Sequence, residues 1–268
     1  MQSFVDEFEL SEGSAVATPA EPGSVLMKAR EDEKVDAKTQ TMFRSGVGKL
    51  IHMMKWSRPD MLNAVRDLTR QMSAATMCHV KAMKRVMTYL TTTSKRGLTL
   101  KPSEKWDGSR EFEFTISGFS DSDFAKEPTE RKSVSGWAVF LNGAPISMRS
   151  KMQDCTTLLV TEAELVAATA CAQDMLFSMR LMESIGLRVK KPMVLTVDNK
   201  GAKDLANNWS VGGRTRHIDV RYYFLRELKE AGLVQTVWQH GVHNCADLFT
   251  KNLDGPTFKG HAKVFCRD

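Results

Sequence analysis

The sequence predicts a mixed α/β protein in which a small helical module precedes a sheet-containing domain. Three observations carry this. Apolar residues recur at helical spacing between residues 41 and 92, and from Glu111 the period changes to two. Turn and stop signals then punctuate the chain, with Asn142-Gly143 between two apolar runs and Gly186 after a long helical stretch.

Residues 11–40 are rich in Ser, Ala, Pro, Gly and charge and read as a flexible tail or extended connector. Phe43, Val47, Leu50, Ile51 and Met54 then form a helical stripe. Pro59 suits the first turn of the next helix, where Asp60 meets its positive end and Leu62, Val65, Leu68 and Met72 line one side. After Thr76, an N-cap residue, Val80, Met83, Val86, Met87 and Leu90 form a third stripe, with Lys81, Lys84 and Arg85 pointing elsewhere. The methionines read as core filler rather than a redox or metal box. Gly97 and Pro102 close the module, and Ser103 to Ser109 is a linker.

Phe112, Phe114 and Ile116 alternate with Glu113 and Thr115, which predicts a half-buried strand leading into Asp121. Val134 to Leu141 and Ala144 to Met152 are the next strands, joined at Asn142-Gly143. A helix follows from Thr161 to Ile185, burying Leu165, Ala168, Ala172, Leu176, Met179 and Met182. Met193 to Val197 is almost wholly apolar, the pattern of a strand covered on both faces. Helices near 200–207 and 218–231, a strand from Leu233 to Gln239 and a helix beginning near Asn244 complete the order.

Composition narrows the function classes. The 268 residues are 42% hydrophobic and 26% charged, ordinary for a globular protein. No run of about 18 apolar residues exists, and Asp6, Glu7 and Glu9 stand where a secretory signal needs basic and then apolar residues. The five cysteines are odd in number and lack a Cys-x-x-Cys pair, which favours reduced thiols. The net charge of +6 is uneven: residues 44–101 hold twelve Lys or Arg against Asp60 and Asp67. Such a field attracts a polyanion and releases its counterions on contact. A solvated helical face is the bland alternative for this cluster.

Four acids stand in short, distinct contexts: Asp121 in Phe119-Ser-Asp-Ser-Asp-Phe124, Glu164 in Thr161-Glu-Ala-Glu164, Asp198 in Val194-Leu-Thr-Val-Asp-Asn199, and Asp247 in Asn244-Cys-Ala-Asp-Leu-Phe-Thr-Lys251. Each lies at a strand end or in the first turn of a helix, where carboxylates can converge. Converging carboxylates repel unless a cation lies between them, and hard divalent cations such as magnesium prefer oxygen ligands. Two such ions about 4 Å apart serve in-line attack of water on a phosphodiester. Metal-dependent nuclease chemistry is the sharp reading of this pattern. On a helix Glu162 and Glu164 point about 200° apart, so only one can face such a site. Asp121 and Asp123 share one strand face, so spacing does not separate them.

Seven motifs in order carry a resemblance: Phe119-Ser-Asp-Ser-Asp-Phe-Ala125, Arg131-Lys-Ser-Val-Ser-Gly-Trp137, Gly143-Ala-Pro-Ile-Ser147, Thr161-Glu-Ala-Glu-Leu-Val-Ala167, Val197-Asp-Asn199, Arg216-His-Ile-Asp-Val-Arg-Tyr222 and Ala246-Asp-Leu-Phe-Thr-Lys251. The run from Gly118 to Leu253 resembles the ribonuclease H domain of copia-type retrotransposon Pol polyproteins. Phe43-Arg-Ser-Gly-Val-Gly48, Arg58-Pro-Asp60 and Lys84-Arg-Val-Met-Thr-Tyr-Leu90 are similar to the connection segment that follows the polymerase in those polyproteins.

The resemblance implies an α/β fold with a ribonuclease H-like five-stranded mixed sheet flanked by helices. It implies this organisation: 1–40 a flexible acidic segment, 41–105 a basic connection-like module, 110–253 the ribonuclease H-like domain, 254–268 a tail. The implied activity is hydrolysis of the RNA strand of RNA–DNA hybrids with two Mg²⁺ ions, for which Mn²⁺ can substitute. Asp121, Glu164, Asp198 and Asp247 are the implied ligands, with the register of the motifs choosing Asp121 over Asp123 and Glu164 over Glu162. Polar groups near Asp121, Thr161 and Asn199 are expected to read 2′-hydroxyls. Arg149, Lys151, Arg214 and Arg216, with Lys81, Lys84 and Arg85 upstream, are expected to meet phosphates.

The implied partners are the hybrid and the polymerase portion of such a polyprotein, in a cytoplasmic or nuclear transposon particle and not at a membrane. The chain has no Tyr-x-Asp-Asp, so no DNA synthesis is expected of it alone. One departure stands out. Many cellular ribonucleases H carry a loop histidine about ten residues before the last Asp, whereas His240 and His243 precede Asp247 by seven and four. They read as solvated loop residues ahead of a proton shuttle or a zinc pair. The alternative function is a non-catalytic nucleic-acid-binding or structural remnant of a transposon polyprotein.

Overall fold

The computed structural model describes residues 6–8, 10, 15–207 and 219–268. Two compact units emerge, Met1–Leu98 with Lys251–Asp268, and Thr99–Thr250. In chain order the helices are α1 (Ala37–Trp56), α2 (Leu62–Thr69), α3 (Met77–Thr92), α4 (Val160–Ser184), α5 (Lys200–Asn207), α6 (Asp219–Glu230) and α7 (Gly255–Phe265). The main strands are β1 (Ile116–Asp123), β2 (Val134–Leu141), β3 (Ala144–Met152), β4 (Met193–Val197) and β5 (Val234–Trp238).

In the first unit, Asp36 caps α1 by accepting from the Lys38 and Thr39 amides at 2.9 and 3.0 Å. Thr76 caps α3, where the His79 ring also accepts from the Thr76 amide at 3.0 Å. Phe43, Val47, Leu50, Val65, Leu68, Met83, Met87 and Leu90 are buried, as the helical stripes require. Arg58 holds Asp60 through two hydrogen bonds of 2.9 and 2.8 Å, and Tyr89 donates to the same carboxylate at 2.6 Å. All three side chains are buried, so charge and hydroxyl satisfy one another.

Two segments of this unit differ from the sequence expectation. Residues 254–268, read as a tail, form α7 and a short strand Cys266–Arg267 that pairs antiparallel with Gly97–Leu98. Asp254 caps α7, and Phe258 and Phe265 are buried, Phe258 edge-on to Tyr89. The Asp254 cap and one buried face, Phe258, His261, Ala262 and Phe265 at helical spacing, make a helix of this stretch. Within the stretch read as a flexible connector, Gly23 donates to the Asn252 carbonyl at 2.9 Å and Val35 to Ala75 at 3.0 Å. The described part of this segment is tied down by these backbone hydrogen bonds and includes a 3-10 turn at Glu31–Glu33.

In the second unit the sheet order is β3-β2-β1-β4-β5. β1, β2 and β3 are antiparallel neighbours, while β4 and β5 add parallel to β1. Asn142 and Gly143 both take positive φ, 46° and 80°, as a two-residue hairpin turn demands. α4 lies against β1 and buries Leu165, Cys171, Met175 and Met179 in the core. A Cβ at Gly118 would stand 2.6 Å from both the Cys171 and Met175 sulfurs, so the helix packs at that distance only over glycine. The strand order, its antiparallel and parallel pairings and the helix between β3 and β4 make this a ribonuclease H-like fold. A helix was expected from Asn244, and the structure has 3-10 turns at Gly241–His243 and Cys245–Phe249 instead. Glu113–Phe114 pairs with Arg188–Val189, apart from the main sheet. Among the described residues no helix is long and apolar enough to cross a membrane.

Candidate metal-binding active site

Three elements deliver three carboxylates to one edge of the sheet. Asp121 lies near the end of β1, Asp198 follows β4, and Asp247 sits in the turn after β5. One ligand oxygen from each lies within 4.8 Å of the others, and Asp121 is 1% exposed. Like charges at that spacing repel by roughly 3 kcal/mol per pair at an effective dielectric constant of about 20. A hard divalent cation offsets such repulsion, and the donors are all oxygen, which suits magnesium or manganese.

Local packing explains the convergence. The Asn244 amide is fully buried and donates to the Ser120 carbonyl at 2.8 Å, while its oxygen accepts from the Ala246 amide at 3.2 Å. This ties the turn to the strand that carries Asp121. The turn lies over Gly136, which is the register partner of Asp121 on β2. A Cβ at Gly136 would come within 2.6 Å of Thr250 Cγ2, 2.9 Å of Phe249 Cβ and 3.0 Å of the Ala246 carbonyl. Thr250 donates its hydroxyl to Asp121 Oδ2, and Ser150 donates to the Phe249 carbonyl. On the β4 side, the Trp238 indole donates to the Asp198 carbonyl at 2.9 Å. Gly241 passes close by, where a Cβ would stand 3.1 Å from Asp198 Oδ2.

Glu164 is outside the group of three but is bonded to Ser122, the chain neighbour of Asp121. Its Oε1 accepts from the Ser122 amide at 3.2 Å and the Ser122 hydroxyl at 2.9 Å, and it is 3% exposed. Glu162 points away and accepts from the Leu158 amide at 2.8 Å ahead of α4. Asp123 forms an ion pair with Lys126 at 3.1 Å, and Lys126 also donates to the Thr250 carbonyl. The two pairs of acids that spacing left open thus have different surroundings. Sequence reasoning missed Lys126 and Thr250, whose only signal was their place in or near the acidic motifs.

The retrovirus-related Pol polyprotein from transposon TNT 1-94 of Nicotiana tabacum is 30% identical over 254 residues, 94% of this chain and 18% of that protein. That from transposon RE1 of Arabidopsis thaliana is 30% identical over 247 residues, 92% of this chain and 16% of that one. The chain belongs to the copia-type Pol polyproteins. It spans under a fifth of the length of these relatives. No family model matches the chain. Among solved structures, the N-terminal ribonuclease H domain of a Mycobacterium tuberculosis protein aligns with a TM-score of 0.37 and 12% identity, over 56% of this chain and 96% of that one.

The remaining expected contacts of this Pol segment fall in several places. Thr161 and Asn199 come together around Gly201, where a Cβ would be 3.3 Å from Thr161 Oγ1 and 3.1 Å from Asn199 Oδ1. Asn199 Oδ1 also caps α5 by accepting from the Ala202 amide at 2.9 Å. Arg149 and Lys151 are exposed on β3, and Lys151 pairs with Asp154 at 2.9 Å. Arg214 and Arg216 lie outside the described residues. Lys81, Lys84 and Arg85 lie on α3 in the first unit. Lys81 is exposed, whereas Arg85 meets Glu21 at 3.8 Å and Thr18 at 3.3 Å. His240 and His243 are exposed and belong to no acidic or metal-ligating group among the described residues. Burial pushes the Cys245 thiol up to about 12, which makes it an unreactive packing group.

Proposed function

We propose that this Pol segment is a metal-dependent ribonuclease H that hydrolyses the RNA strand of RNA–DNA hybrids. The observation that carries the reading is the meeting of Asp121, Asp198 and Asp247 from three separate elements within 4.8 Å. Glu164, fixed by Ser122 beside Asp121, completes the set that would hold two magnesium or manganese ions. Bound at such a site, the ions supply charge that lowers the pKa of water and stabilises the departing 3′ oxygen.

The chain's own groups do the positioning. Thr250 fixes the rotamer of Asp121, Trp238 fixes the backbone at Asp198, and Asn244 fixes the turn that carries Asp247. In the proposed reaction a water oxygen bonds to phosphorus and the bond to the 3′ oxygen breaks, leaving a 5′-phosphate and a 3′-hydroxyl. Thr161 and Asn199, which lie near one another at Gly201, would meet 2′-hydroxyls, the feature that separates RNA from DNA. Arg149 and Lys151 are exposed for phosphate contact. Incubation of the chain with an end-labelled RNA–DNA hybrid tests the proposal. Cleavage of the RNA strand alone is expected with Mg²⁺ and none with EDTA. Binding without cleavage in both Mg²⁺ and Mn²⁺ would replace it with the reading of a non-catalytic binder.

A further inference from the structure

We infer that Lys200 and Trp238 form a nucleotide-binding platform beside the acidic group. It would take one phosphate and the adjoining base or sugar of a substrate strand. The inference rests on the nucleic-acid reading above. Trp238 closes β5 and is 39% exposed. Its one polar atom is already used, because the indole N–H donates to the Asp198 carbonyl at 2.9 Å. That bond fixes the ring's orientation and ties it to a residue whose carboxylate belongs to the acidic group. The His240 ring packs against the indole in a T-shaped contact at 6.3 Å, and what remains exposed is aromatic surface at the edge where a scissile phosphate would lie.

Lys200 supplies the second half. Its ammonium stands over that face, 4.6 Å from the ring centroid. It is exposed and is the first residue of α5. There a positive charge opposes the helix dipole, and no acid occupies the first turn to compensate it. Lys203, one turn on, instead pairs with Asp204 at 2.9 Å. Helix stability thus gives no reason for a lysine at position 200, whereas a phosphate does, since helix start and ammonium attract it together. A cation–π contact at an exposed site is weak enough to yield to a phosphate. When the ammonium swings to the phosphate it uncovers the ring for stacking. Stacking on an indole is tolerant of base identity.

Binding of the full chain to a fluorescent RNA–DNA hybrid in EDTA, by anisotropy across a salt series, tests the platform. Lys200→Gln is expected to weaken binding and to lower the slope of log K against log salt by about one. Trp238→Leu is expected to weaken binding by about five- to a hundredfold, the range of one base–aromatic stack. Trp238→Phe keeps an aromatic face but loses the N–H that anchors it to Asp198, so its affinity should lie between those of Trp238→Leu and the parent. Circular dichroism melts report folding, and if Trp238→Leu does not fold, Lys200→Gln decides alone. Parent affinity and parent salt slope in Lys200→Gln, with parent affinity in any folded Trp238→Leu, would overturn the platform. Cleavage by the parent in Mg²⁺ is scored separately. A parent that cleaves while both variants bind normally sinks only the platform. A parent that binds but never cleaves sinks the nuclease and leaves the platform to these binding data. A parent that does not bind the hybrid sinks both.

Discussion

Gly136→Ala adds a single methyl group and should disturb the acidic site from the neighbouring strand. The new Cβ would stand 2.6, 2.9 and 3.0 Å from Thr250 Cγ2, Phe249 Cβ and the Ala246 carbonyl, where ordinary contact begins at 3.4 Å. The turn must therefore recede by about 0.4 to 0.8 Å, because two of the three neighbours are backbone or Cβ atoms that no rotamer change removes. That turn carries Asp247 and the Thr250 hydroxyl that holds Asp121. Overpacking of this kind costs about 1–3 kcal/mol, which lowers the melting temperature by several degrees. Misplacement of a reactive group by about 1 Å can lower a rate about a hundredfold, so a loss of tenfold or more in kcat is expected here. Steady-state cleavage of a labelled hybrid in Mg²⁺, with binding in EDTA as control, reads this out. Binding should stay near the parent value, and Gly136→Val should be worse than Gly136→Ala in both rate and melting. A Gly136→Ala chain with parent kcat would refute the idea that the packing of this turn sets the carboxylates.

Three further outcomes are expected. Lys81→Gln with Lys84→Gln should weaken hybrid binding and flatten its salt slope by up to about two, with melting unchanged; an unchanged slope returns α3 to a solvated face. Asp60→Ala strands the buried Arg58 guanidinium and should destabilise the helical unit by about 3–5 kcal/mol in chemical denaturation, and a loss under 1 kcal/mol would contradict the buried pairing. His79 is held neutral, its pKa lowered chiefly by burial, while Nε2 meets the Met27 carbonyl at 2.8 Å. A lowered histidine pKa means the unfolded chain takes up the proton first, so this contribution is full above about pH 6.5 and is lost as pH falls through the folded value. Melting at pH 7.5 and 5.5 should show an acid loss that shrinks in His79→Asn; an equal loss in both chains assigns it elsewhere.

The sheet was legible wherever one face alternates with the other. Phe112 to Ile116 announces the approach to β1, and the apolar run Met193 to Val197 marks an interior strand, which β4 is, although Val194 is 40% exposed, so the strand is not covered on both faces along its length. Asn142-Gly143 marks a hairpin because only residues that accept positive φ can make that turn. The C-terminal helix was missed, although its buried residues Phe258, His261, Ala262 and Phe265 fall at i, i+3, i+4 and i+7, the spacing of one helical face. For the site, the motifs point to the acids, but the choice between Asp121 and Asp123 depends on their partners, one of them far along the chain. Lys126 takes Asp123, and Thr250 takes Asp121 from a turn more than a hundred residues away. No local pattern encodes a hydrogen bond of that reach. Gly136, Lys126 and Trp238 acquire meaning only when the strands are laid side by side.

The most direct test of the central claim separates chemistry from binding at Asp198. Asp198→Asn keeps the shape of the side chain and removes one of the three charges that meet within 4.8 Å. The measurement is single-turnover cleavage of a labelled RNA–DNA hybrid in Mg²⁺ by parent and variant, with hybrid affinity in EDTA for both. The account predicts that cleavage falls by orders of magnitude while metal-free binding persists or strengthens, since less negative charge faces the phosphates. Parent-level cleavage by Asp198→Asn, or cleavage by the parent that persists in EDTA, would contradict it.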